Sequence, residues 1–191
     1  MLVGVGPVAV LVPVKAFAQA KVRLAPALPP ADRAALARHM AERVLAAAGP
    51  LPTAVVCDDA GVAAWAAGLG ALVLEEPGRG LNGAVAEGVA QLAAWGARQV
   101  IVAHADLPLA VSLTQVAHFP GVTLVPDRRR DGTNVVCVPT NVEFAFSYGP
   151  GSFARHFAEA RRTGQGVRVV DEPLLAWDVD LPADLDYALG A

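Results

Sequence analysis

Short apolar runs separated by alanine-rich amphipathic stretches, with charged residues stationed just past the runs, predict an α/β protein built on an open parallel sheet. The clearest run is VIVAHADLPL, Val100 to Leu109. Its first residues, Val100 to Ala103, suit a strand buried on both faces, and they lead straight into His104, Asp106 and Pro108. The length points the same way: 191 residues at 54% hydrophobic content suffice for one well-buried domain over 1–191 and are too few for two comfortable ones.

Composition narrows the function classes. No apolar run approaches the roughly 20 residues that a membrane-spanning helix requires. The amino-terminal MLVGVGPVAVLVPVK lacks a basic leader and continues as a patterned strand, so a cytoplasmic protein is expected. Cys57 and Cys137 fall within predicted strands and read as buried, reduced thiols. A formal net charge of −3 gives no general attraction to nucleic acid, while local basic clusters can still hold small anions.

Taken in order, Val8 to Val14 is the first strand and delivers Lys15 at its carboxyl end. Ala16 to Leu28 has weak periodicity and reads as a loop. Its Lys21 and Arg23, with Lys15, place three cations within nine residues after the first strand of the sheet. Such a group suits a polyphosphate, since arginine offers a bidentate fork and lysine a compact charge; a solvated basic loop is the plainer reading. No GxxxxGK[ST] sequence occurs, so the cradle is not a P-loop. Pro29, Pro30 and Asp32 open a helix to about Ala48 with Leu36, Met40 and Val44 on one face, and His39 lies on its charged side. Thr53 to Cys57 is the second strand, with Asp58 and Asp59 placed to cap the helix Ala60 to Leu69.

Ala71 to Leu74 forms a third strand and runs into EEPGRGLNG, Glu75 to Gly83. Glycines there let backbone approach a ligand closely, and Asn82 can either read a base edge or cap the helix that continues to about Trp95. In open sheets ligands gather outside the carboxyl ends of the strands, which puts Asp106 at a crevice mouth. Capping a helix after Pro108 suits the same residue, and both roles stay open. A short helix near Ser112 to His118 and strands at Val122 to Val125 and Val135 to Val138 follow, the last preceded by PDRRRDGTN. Its Gly-Thr pair offers N–H groups and a hydroxyl to an anion. FSYGPGSF then opens a helix from Ser152 to Arg161, where free N–H groups and the helix dipole favour negative charge. Two anion-friendly turns suggest a small acidic substrate. After a strand at Val167 to Val170, the segment WDVD places Asp178 and Asp180 on one face if extended, so that with Asp106 they can form a hard-oxygen site for Mg²⁺ bound to phosphates. A closing helix spans Pro182 to Leu189, with Asp184 and Asp186 in its first turn.

The ordered blocks VPVK, AKVRL, PGRGLN, ADLP, DRRRDGTN, YGPGSFARH and DVDLPADL, covering Val12 to Leu185, resemble the guanylyltransferase family of coenzyme F420 biosynthesis. Its members join GMP to phosphoenolpyruvate or 2-phospho-L-lactate. The resemblance implies a nucleotidyltransferase-like fold of the nucleotide-diphospho-sugar transferase type, with a mixed, mostly parallel sheet and helices on both faces. It implies that Lys15, Lys21 and Arg23 meet the GTP triphosphate, with Lys15, Arg23 and Asp106 as the catalytic set. Gly80, Leu81 and Asn82 would border the guanine. Asp106, with one or both of Asp178 and Asp180, would hold Mg²⁺, and Thr133, Gly149 and Ser152 would bind the phosphate and carboxylate of the three-carbon acid. Val22 stands where the family often has Ser, and Leu181 where it commonly has Thr. The implied reaction is in-line attack of the acid's phosphate on the α-phosphorus of GTP with loss of pyrophosphate. The Ala-, Gly- and Arg-rich composition favours phosphoenolpyruvate as the acid. The expected partners are GTP and that acid, with no nucleic acid and no membrane; a downstream transferase of the F420 pathway and a second copy of the chain are further candidates.

Overall fold

Val8–Pro13 (β1) is buried except at its ends, and its side chains alternate between two cores as the strand period of two requires: Val10 and Val12 enter one, Ala9 and Leu11 the other. The computed structural model describes residues 4–75 and 78–188. In it β1 is joined by Thr53–Cys57 (β2), Leu72–Glu75 (β3), Gln99–Ala103 (β4), Val122–Pro126 (β5), Thr133–Pro139 (β6) and Val167–Val169 (β7). They form one seven-stranded sheet in the order β3-β2-β1-β4-β6-β5-β7. The sheet is parallel except for β6, which runs antiparallel to both β4 and β5.

Helices cover both faces, so the strands carry near-continuous apolar runs. Pro30–Ala47 (α1) and Ala60–Gly68 (α2) bring Ala37, Ala41, Val44, Val62 and Ala66 to one core, while Gly80–Ala94 (α3) and Ser152–Arg162 (α4) bring Val85, Leu92 and Ala160 to the other. Leu11, Ile101 and Leu124 are fully buried in this stack, each contributing roughly 1.5–3 kcal/mol of transfer free energy. The chain leaves β1 toward α1 on one face and reaches β4 from α3 on the other. Between the carboxyl ends of those neighbouring strands lies the crevice where open α/β sheets bind ligands. Two short helices, Pro173–Ala176 (α5) and Leu185–Ala188 (α6), complete the carboxyl-terminal part. Among the described residues no helix is long and apolar enough to cross a membrane.

Several local expectations need correction. The stretch read as a loop after β1 holds two 3-10 turns, Phe17–Gln19 and Val22–Leu24, because Phe17 and Leu24 are buried and anchor it. The helix expected at Ser112 to His118 is only a 3-10 turn, Thr114–Ala117. No helix follows Pro108, which removes the capping role considered for Asp106. Helix α3 is preceded by Arg79, so Asn82 lies inside its first turn and does not cap it. The closing helix begins as a 3-10 turn, Pro182–Asp184, before α6; Leu189, like Glu76 and Pro77 of the glycine-rich turn, lies outside the described residues. Cys57 and Cys137 are free and buried, as expected.

Candidate active site

Lys21, Asp106 and Asp180 come from three distant stretches and meet at the carboxyl ends of β1 and β4. Lys21 immediately precedes the second 3-10 turn in a left-handed conformation (φ 54°). Its Nζ donates to Asp106 Oδ2 at 2.5 Å and to Asp180 Oδ1 at 3.1 Å. Arg23 stays exposed, with Nη1 3.8 Å from Asp180 Oδ2. A cavity of about 680 Å³ opens over these groups, and Lys15, Lys21, Arg23, Gly80, Leu81, His104, Asp106 and Asp180 all line it. Phe17, Met40 and Val56 supply an apolar part of its wall. The arrangement puts cations and carboxylates against an apolar recess, as a polyanion carrying a flat aromatic base requires.

The charges act on one another. Burial alone would lower the Lys21 ammonium, but the Asp106 and Asp180 carboxylates outweigh it and hold its pKa above the ordinary value. Burial would likewise raise the Asp106 carboxyl, yet Lys21, with a smaller contribution from His104, holds it below the usual range. The His104 pKa is lowered by burial, despite the Asp106 carboxylate 3.9 Å away. Its Nε2 is buried without a hydrogen-bond partner, and its ring packs at 4.8 Å against Tyr148.

Asp178 turns away from Lys21. Its backbone carbonyl accepts from Arg128 at 3.0 Å, and its Oδ1 lies 3.6 Å from the same guanidinium. Burial, followed by repulsion from Asp106, pushes its carboxyl up to about 6. Asp184, expected in an ordinary first turn of helix, is 1% exposed; its Oδ2 accepts from the N–H groups of Asp180 (2.9 Å) and Leu181 (2.7 Å), while Oδ1 pairs with Arg128 and Arg129. This holds Asp180 in place from below. Arg128 also stacks 4.0 Å over the Trp177 ring. Among the described residues no cluster of three or more His, Cys, Asp or Glu is gathered in metal-binding geometry. Still, among the described residues Asp106 Oδ1 and Asp178 Oδ1 are buried and accept no hydrogen bond, Asp178 Oδ1 having only the Arg128 guanidinium at 3.6 Å, and carboxylate oxygens without a donor suit a hard cation.

The second anion-friendly turn adjoins this crevice. Tyr148 N–H donates to Asn82 Oδ1 at 2.7 Å, tying the turn to the residue after Leu81 on the cavity wall. Gly151, with φ 71°, makes the left-handed step that starts α4. Thr133 N–H donates to Ser152 Oγ at 3.0 Å, so these two are side by side. Both are 2% exposed, and neither lines the large cavity. Gly149 is exposed at the tip of the turn, with φ 113°.

The architecture recurs in solved structures. One from Desulfovibrio desulfuricans G20, described as a nucleotide-diphospho-sugar transferase, aligns with a TM-score of 0.74 over 94% of this chain and 85% of that one, at 17% identity, a likeness of fold. The family described as "Guanylyl transferase CofC like" matches residues 8–189. This chain belongs to that family. A CofC-like relative from Rubrobacter xylanophilus, named phosphoenolpyruvate guanylyltransferase, is 40% identical over 92% of this chain and 90% of its own. Another from Methanothermobacter thermautotrophicus, named 2-phospho-L-lactate guanylyltransferase, is 33% identical over 92% of this chain and 81% of its own.

Within this CofC-like chain, sequence reasoning named Lys15, Lys21, Arg23, Gly80, Leu81, Asp106 and Asp180, and all of them wall one cavity. It did not find the roles of Arg128 and Asp184, whose pairing links segments far apart in the chain. It left His156 without a role. The available signal was a histidine four residues before Ala160 on the buried stripe of a short helix.

Proposed function

We propose that this chain transfers the guanylyl group of GTP to phosphoenolpyruvate in coenzyme F420 biosynthesis, giving enolpyruvoyl-2-diphospho-5'-guanosine and pyrophosphate. The observation that carries the proposal is the cavity between β1 and β4, walled by Lys15, Lys21 and Arg23 and by Asp106 and Asp180, in a chain of the CofC-like family. The three cations are the triphosphate-binding groups of this reading, Lys15 and Arg23 with Asp106 form its catalytic set, and the backbone at Gly80 and Leu81 borders the guanine. The Asn82 carbonyl is committed to Tyr148 N–H, which leaves its amide N–H groups for the base.

Asp106, Asp178 and Asp180 are the proposed ligands of Mg²⁺, and the buried Oδ1 atoms of the first two, which accept no hydrogen bond among the described residues, support that assignment. Bound there, the ion would neutralise phosphate charge. A phosphate oxygen of the acid forms the new bond to the α-phosphorus, and the bond to the β-phosphate oxygen breaks, pyrophosphate departing with the electron pair. No general base is required, since the acid's phosphate is already ionised above its second pKa of roughly 6. Exposed Arg23 and Lys15 are free to follow the charge that develops on the departing group.

Thr133, Gly149 and Ser152 are the proposed receptor of the acid. Their support is a count of donors. Ser147 and Tyr148 N–H groups are spent on His156 and Asn82, Gly151 N–H on Asp131, and Ser152 N–H on the Gly149 carbonyl. Among the described residues the Gly149 N–H and the hydroxyl protons of Thr133 and Ser152 are left without an acceptor, as is the buried Tyr148 hydroxyl of the same turn. 2-Phospho-L-lactate is the second acid considered, on the name of the Methanothermobacter relative. Such an enzyme would work in the cytoplasm beside its GTP supply.

The test is pyrophosphate release from purified protein with Mg²⁺ and GTP, offering phosphoenolpyruvate, 2-phospho-L-lactate or 3-phosphoglycerate separately, with ATP and CTP as controls. Pyrophosphatase and the deazaflavin acceptor system draw the equilibrium forward. Release with GTP and phosphoenolpyruvate is expected. Release only with another acid would reassign the acceptor, and no release with any acid would refute the proposal.

A further inference from the structure

We propose that His156 is a positioning residue for the acid: its buried imidazole, as the Nδ1–H tautomer, presets the Thr133 hydroxyl as a donor and fixes the backbone of the Ser147–Gly149 turn. The inference rests on the guanylyl-transfer reading and goes beyond it to a residue that touches neither substrate.

Hydrogen bonds determine the tautomer. Ser147 N–H donates to His156 Nε2 at 2.8 Å, and a nitrogen that accepts from an amide carries no proton. The ring proton is therefore on Nδ1, which lies 3.0 Å from Thr133 Oγ1 and donates to it. Because that oxygen is accepting from His156, its own proton points elsewhere. Ser152 repeats the device: Oγ accepts from Thr133 N–H, so its proton is also directed outward. Two adjacent hydroxyls are thus both turned into donors, the polarity an anionic phosphate or carboxylate needs.

The surroundings keep the imidazole in this form. His156 is fully buried, with the Phe144, Phe146 and Tyr148 rings around it at centroid distances of 5.8, 6.4 and 4.8 Å. Burial, reinforced by His104 and Arg155, lowers its pKa to about 4 despite Glu159 nearby. A protonated ring would present a second N–H to the Ser147 amide and break the anchor. The turn is also clamped from outside by Arg155, which donates to the carbonyls of Ser147 (2.8 Å) and Pro150 (2.6 Å). His156 is the inner clamp and the one that reaches Thr133.

Two substitutions separate the arms of this device. In His156→Asn the amide N–H stands near the position of Nδ1, keeping the bond to Thr133 and losing the acceptor for Ser147. In His156→Gln the carbonyl reaches the position of Nε2, with the opposite result. Each folded variant is expected to raise KM for phosphoenolpyruvate by about tenfold, the loss of one hydrogen bond to an anion, with KM for GTP changed by less than about twofold. A merely structural role would reduce the fraction of active enzyme, lowering kcat and leaving both KM values alone. That outcome, or equal rises in both KM values, overturns the inference. If neither variant folds, Thr133→Val and ¹⁵N NMR of the unsubstituted protein decide it. A selective rise in KM for the acid with an Nδ1–H signal supports the role, and an Nε2–H or charged ring removes it. Absence of pyrophosphate release from the unsubstituted protein would instead refute the guanylyl-transfer reading, together with the role for His156, whatever tautomer is found.

Discussion

Replacing Asp178 by Asn should make the protein more stable and less active at the same time. Its folded pKa of about 6 exceeds the ordinary 3.8, so between those values the native state binds more protons than the unfolded chain. Stability is therefore lost as pH rises through that window, and above it the ionised carboxylate costs the fold energy. A displacement of about two units corresponds to ~3 kcal/mol. Arg128, 3.6 Å away, attracts the same charge, so this figure is an upper bound. Urea unfolding should show Asp178→Asn gaining up to ~3 kcal/mol on the unsubstituted protein well above pH 6, and the two converging below pH 3.8. Added Mg²⁺ should close the gap by stabilising only the unsubstituted protein, since a ligand that binds the native state alone raises its stability. A gap independent of pH, or a variant less stable above pH 6, would refute the reasoning, because burial would then not govern this carboxyl.

Lys21→Met removes the cation between Asp106 and Asp180 and should cost ~3 kcal/mol in urea unfolding, as expected when a largely buried charge loses its partner. In the unsubstituted protein the depressed Asp106 carboxyl contributes stability above 3.8, and the raised Lys21 ammonium below 10.5. Without Lys21, burial governs Asp106, so the deficit should shrink on acidification; a constant deficit would argue against the pair. Ser152→Ala should raise KM for the acid much more than KM for GTP, and equal rises would displace the acid from the start of α4. Gly121→Ala should destabilise by ~2 kcal/mol with both KM values unchanged, since a Cβ there would overlap the Gly166 carbonyl oxygen that accepts from Val122 N–H; unaltered melting would show that the β5–β7 edge yields.

The mostly parallel sheet was legible from apolar runs too short for helices, and Lys15, Lys21, Arg23 and Asp106 of the cavity from charges placed just after β1 and β4; that β6 runs antiparallel was not. The 3-10 turns after β1 were not legible, because they depend on Phe17 and Leu24 finding distant helices to pack on. The sequence predicted that Asp178 and Asp180 would share a face if extended; instead they face different cations, Arg128 and Lys21, because the segment does not pair into the sheet.

Periodicity, the strand-end charges and the ordered blocks thus determined on their own the fold class, the family and the charged part of the cavity wall, since each is a property of neighbours along the chain. Only the tertiary structure decided which carboxylate pairs with Lys21, that Asp184 holds Asp180 in place, and that His156 meets Thr133, 23 positions away. Those facts depend on contacts between separate segments and on burial, which sets both pKa and tautomer, and neither is encoded in local spacing.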